Sequence, residues 1–125
     1  MNQITVHHSV AEATELIKKS LDDKGFTLFC DVNHQENAKS VDLEMPASRT
    51  LFFGNPVAGT KLMQKDITVS FDLPLRLAIV ESDGNTLLIH QTSDDYTLNY
   101  QLEGHPVLEK IEGLFKILAD ELKKL

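Results

Sequence analysis

Leu75-Arg76-Leu77-Ala78-Ile79-Val80-Glu81-Ser82-Asp83-Gly84-Asn85-Thr86-Leu87-Leu88-Ile89-His90-Gln91 decides the fold class. Two β-rich runs, 75–81 and 86–91, flank Ser82-Asp83-Gly84-Asn85. Asp-Gly between apolar runs marks a tight hairpin, because the short turn that suits strand twist needs positive φ at its centre. The two runs are therefore expected to pair antiparallel.

Working back from this hairpin, residues 49–53 form a compact apolar strand that Gly54 ends. Asn55 followed by Pro56 reads as an N-cap with proline at the first helical position, where its missing N–H is harmless, so a helix is expected over 56–65. Residues 26–32 alternate, with Phe26, Leu28, Cys30 and Val32 on one face and Thr27, Phe29 and Asp31 on the other. Asn33 and Glu36 have capping-box spacing, which predicts a short helix over 34–40 before a connection that contains Pro46. Ser9 and Glu12 share that spacing, and Val10, Ala13, Leu16, Ile17 and Leu21 recur at helical intervals until Lys24-Gly25. Ahead of that helix, Ile4, Val6 and His8 alternate with Thr5 and His7 as a first strand.

Beyond the hairpin, the strand-like alternation of Tyr96, Leu98, Tyr100 and Leu102 competes with the helix start Ser93-Asp94-Asp95, and a short helix is expected within 93–103. After Gly104 and Pro106, Leu108, Ile111, Phe115, Leu118, Leu122 and Leu125 are spaced by threes and fours, and Val107, Leu114 and Ile117 widen the stripe. This predicts a long C-terminal amphipathic helix that lies on the sheet. The order lacks regular βαβ alternation and any fixed-period repeat, so the expected fold is α+β, an antiparallel sheet with helices packed on one face, in a single domain over 1–125.

With 125 residues and 42% apolar content the chain has material for one core. The lone cysteine, Cys30, excludes a disulfide framework or a cysteine cluster for zinc. The net charge of −7 is spread along the chain, and only Arg49 and Arg76 offer guanidinium groups, so no nucleic acid is expected as a partner. No apolar run approaches the ~20 residues of a membrane span, and residues 1–8 lack a secretory pattern. A cytoplasmic location, with no membrane partner, is the resulting expectation.

The run Leu51-Phe52-Phe53-Gly54-Asn55-Pro56-Val57-Ala58-Gly59-Thr60-Lys61-Leu62-Met63, with Phe71-Asp72-Leu73-Pro74-Leu75-Arg76, resembles the central signature of the prokaryotic family called domain of unknown function 302. Gly25-Phe26, Asp31-Val32-Asn33-His34 with Ala38, and Asp83-Gly84 extend the resemblance over essentially the whole chain. It implies a small α+β protein similar in architecture to the TATA-box-binding-protein-like folds. It implies no reaction, cofactor or catalytic residue.

Gly54 and Gly59 stand five apart between a strand and a helix, yet Thr60-Lys61 reverses the order that a phosphate-binding P-loop needs, and Pro56 removes one cradling N–H. What stays open is an anion site at that helix N-terminus, completed by Gly54, Asn55, Thr60 and Lys61, against the plainer reading of a tight turn with Asn55 as cap. Among the five histidines His7 and His8 point to opposite faces of a strand, no His pair has ligand spacing, and Cys30 with Asp31 and His34 fits a buried small hydrophobe beside polar caps better than a metal site. No metal and no cofactor are expected. Asp31, His34 and Asp72 form a second polar set at strand ends, which serves either as acid–base groups or as caps, Asp31 and Asn33 for the short helix and Asp72 for the Leu73-Pro74 turn. No nucleophile elbow supports hydrolase chemistry. The leading expectation is a non-enzymatic module that binds a small anionic molecule beside 54–63. The alternatives are an enzyme that uses Asp31, His34 or Asp72, and a structural or protein-interaction domain. Self-association into a homodimer is expected through the sparsely charged edge of the first strand.

Overall fold

The computed structural model describes residues 1–124. Strands β1 (Asn2–Val6), β2 (Thr27–Asn33), β3 (Ser48–Gly54), β4 (Leu75–Ser82) and β5 (Asn85–His90) form one antiparallel sheet in the order β1-β5-β4-β3-β2. The helices are α1 (Val10–Asp23), α2 (His34–Lys39), α3 (Pro56–Lys65), α4 (Ser93–Asn99) and α5 (Pro106–Lys124), and a 3₁₀ turn spans Ile67–Asp72. Asp83 and Gly84 take φ of 52° and 78°, the two positive values that the hairpin turn requires.

Alternation then separates two faces. Leu51 and Phe53 of β3, Leu75, Leu77 and Ile79 of β4, and Leu88 of β5 are buried on one side, where α1 and α5 lie. Val10, Ala13, Ile17 and Leu21 are the buried stripe of α1, and Leu108, Ile111, Phe115, Leu118 and Leu122 that of α5. Phe53 sits at the junction, edge to face with Phe26 and with Phe115 at 6.0 Å between ring centres in each case. The two helices are joined by Glu121, whose carboxylate accepts from Ser20 Oγ and Lys24 Nζ, both at 2.6 Å.

The opposite face has no such layer. Register places Gln3, Ile89, Ala78, Thr50 and Val32 in one rank across it, Thr5, Leu87, Val80 and Ser48 in a second, and Arg76, Phe52 and Cys30 in a third. None of these twelve residues is acidic. The short α2 approaches this side, where His34 Nε2 lies 2.9 Å from Thr50 Oγ1, and Asp72 of the 3₁₀ turn accepts from Arg76 at 3.0 Å.

Four details depart from the sequence reading. β1 ends at Val6, so His8 leaves the strand and its Nε2 donates to the Leu122 carbonyl at 3.0 Å. A bulge between Leu28 and Cys30 puts Leu28 opposite Phe53 and Cys30 opposite Phe52. Leu28 therefore shares the helix side with Asp31 while Cys30 and Val32 share the open one, because an extra residue in one strand reverses the alternation beyond it. Cys30 is exposed rather than buried. Ile117 is 48% exposed, since it points outward between the buried Leu114 and Leu118, and Leu125 lies outside the described residues. The short helix after β5 is present as α4, closed by a capping box in which Thr92 N–H donates to Asp95 at 2.8 Å.

Replacing Phe53 by Ala removes both ring contacts from a site with 0% exposure. The expected loss is about 3–5 kcal/mol of unfolding free energy, read from urea unfolding followed by circular dichroism.

Candidate functional site

Asn55 follows β3 and turns the chain into α3. Its Oδ1 accepts from the N–H groups of Val57 at 2.9 Å and Ala58 at 3.3 Å, so the side chain occupies two of the donors that an anion at this terminus would use. Asn55 is the cap of α3.

The same segment forms one wall of an open groove of about 500 Å³. Gly54, Asn55, Thr60 and Lys61 all line it. Its floor comes from elsewhere in the chain: Val107, Ile111 and Leu114 of α5, Phe26 at the entry to β2, and Leu73 and Pro74 after the 3₁₀ turn. Phe29, the residue displaced by the bulge, closes one end and is 56% exposed. Its ring stands 3.4 Å from where a Cβ on Gly54 would be, an ordinary contact distance.

The electrostatics of the groove differ from those of the chain as a whole. Lys61 and Lys110 are its charged residues, and no Asp, Glu or His lines it. Neither lysine joins an ion pair among the described residues. Two lysines outside any ion pair thus line an apolar hollow in a chain of net charge −7. A second hollow of about 520 Å³, between the β1–α1 turn and the β4–β5 hairpin, includes His7, His8 and Glu81 but lacks a comparable apolar wall.

Asp31, His34 and Asp72 do not meet, and none lines the groove. Asp31 lies opposite Leu51 on the helix side of the sheet, whereas His34 reaches Thr50 on the open side. Arg49 donates to Asp31 from Nε at 2.9 Å and from a terminal nitrogen at 2.5 Å, and Lys18 Nζ adds a bond at 3.1 Å. These cations hold the Asp31 carboxyl below its ordinary pKa, Arg49 most strongly. The cap of α2 is Asn33 alone, its Oδ1 accepting from Glu36 N–H at 3.0 Å. Asp72, expected to brace the Leu73-Pro74 turn, instead accepts from Tyr100 Oη at 2.5 Å and from Arg76 at 3.0 Å. That carboxylate pushes the Tyr100 phenol up to about 12. Among the described residues no group of three or more His, Cys, Asp or Glu side chains is placed to hold a metal ion.

Lys110 and Phe29 were not among the candidate residues. An exposed lysine on an amphipathic helix looks like any solvated position, and a bulge has no local signature in 27–33. Asp31→Asn is expected to cost about 1–2 kcal/mol at neutral pH, because it leaves a part-buried guanidinium without its carboxylate. Because folding lowers the pKa of Asp31, this contribution is complete above the unfolded value near 3.8 and fades as pH falls through the lower folded value. Urea unfolding of both proteins at pH 7, 4 and 2.5 checks this: their difference shrinks on acidification.

A family described as "Domain of unknown function DUF302" matches residues 2–119. A crystal structure of an uncharacterized conserved protein of that family from Bacillus stearothermophilus superposes with a TM-score of 0.74 at 17% identity, covering 98% of this chain and 94% of the other, a likeness of fold. Fluoride-specific ion channel FluC 1 of Brucella suis biovar 1 is 40% identical over 78 residues, which is 62% of this chain and 30% of that protein. FluC 1 of Brucella abortus biovar 1 matches at the same identity over 28% of its length. The chain thus spans less than a third of the length of these curated relatives, and the match that covers nearly all of it is to the family: this chain belongs to the family described as domain of unknown function DUF302.

Proposed function

We propose that this protein is a binding module for a small amphipathic anion, held in the groove between α3 and α5. One observation carries the reading: an apolar hollow of about 500 Å³ with two unpaired lysines and no acidic residue in its lining. At ~30 Å³ per water-sized group this admits a ligand of on the order of fifteen non-hydrogen atoms. The apolar floor favours a hydrocarbon or aromatic body, and Lys61 and Lys110 favour a carboxylate, sulfonate or phosphate head.

A binding role is favoured over acid–base catalysis because the carboxylates and histidines lie outside this groove. No helix among the described residues is long and apolar enough to cross a membrane.

Decanoate and decanamide, which share a tail and differ in head charge, test the proposal by isothermal titration. Decanoate is expected to bind more tightly than decanamide. Lys61→Gln and Lys110→Gln are each expected to weaken decanoate by about tenfold while leaving decanamide unchanged. Equal affinities for the two ligands, or binding that neither substitution affects, overturns the assignment.

A further inference from the structure

The uncovered face of the sheet is central to the fold yet has no partner layer among the described residues. Phe52, Val80, Leu87 and Ile89 are only partly buried there, on three adjacent strands. Solvated faces of antiparallel sheets ordinarily alternate to polar residues; this one does so at Gln3 and Thr5 of β1, Ser48 and Thr50 of β3 and Arg76 of β4, and leaves Phe52, Val80, Leu87 and Ile89 as an apolar patch across its middle strands.

Two quantities identify the occupant. The first is area. Strands of five to eight residues, at ~3.3 Å per residue and ~4.8 Å apart, span roughly 400–600 Å² in projection. Side-chain relief brings the accessible area toward the ~800 Å² per partner of an ordinary stable interface. The second is charge. The chain carries 19 acidic residues, and none lies on the three ranks of this face. Two copies of a −7 chain repel through their helical surfaces, but this face carries no carboxylate of its own, and its one cation, Arg76, is paired with Asp72. A strongly basic partner would find no carboxylate on these ranks.

We propose that a second copy of this chain covers this face, sheet against sheet about a two-fold axis. Antiparallel sheets stack ~10 Å apart with strand directions within ~30°, which lets the apolar side chains of the middle strands interdigitate. The β1 edge, with five residues, offers far less contact. The groove lies on the helix side, so this inference is independent of the ligand reading.

Sedimentation velocity on the full chain from 5 to 200 µM tests it. The wild type is expected to sediment at twice the 14.0 kDa of one chain, and Leu87→Lys at 14.0 kDa with unchanged far-ultraviolet circular dichroism. Should Leu87→Lys fail to fold, Leu87→Ser is the milder variant and is expected to raise the dimer dissociation constant about tenfold. A wild type that stays at 14.0 kDa throughout overturns the proposal, as does a dimer that folded variants at position 87 leave intact.

Discussion

Phe115 is the contact through which the sheet and its long helix become one structure. Its ring stacks on His90 of β5 at 4.1 Å, nearly parallel, and meets Phe53 of β3 edge to face, while Phe53 meets Phe26 at the entry to β2. One helical side chain thus spans the sheet from its fifth strand to its third. The arrangement has a cost. His90 Nδ1 donates to the Gln91 carbonyl at 2.8 Å, but its buried Nε2 has no partner among the described residues. An orphaned buried acceptor of this kind costs about 1–3 kcal/mol, which the surrounding aromatic burial offsets.

The groove lies where α3, the segment after the 3₁₀ turn and the first turns of α5 come together, and its apolar floor is Val107, Ile111 and Leu114 of the α5 stripe with Leu73 and Pro74. The same one-sided packing leaves the other face of the sheet bare.

Much of the fold was legible from the chain. Ser9, Asn33 and Asn55 were read as caps and each accepts the expected backbone donor. Asp83-Gly84 made the hairpin, and the threes and fours of 107–122 made α5. These signals are local: a cap, a turn and a stripe each act within one or two turns of backbone. The polar set Asp31, His34 and Asp72 misled for the same reason. Residues of capping type at strand ends look alike whether they bind backbone, ligand or a distant arginine, and only the partner distinguishes them.

The sequence by itself determined the family, the order of elements, the single core and the Gly54 to Lys61 wall of the groove, because periodicity and capping are properties of neighbours. Tertiary structure alone decided that Lys110, 49 residues beyond Lys61, stands at the same hollow, that the bulge carries Phe29 to its end, and that Asp31 is bound to Arg49. Those placements follow from strand register and from where one helix crosses the sheet, which are long-range consequences of burying a common apolar surface. No window of sequence contains them.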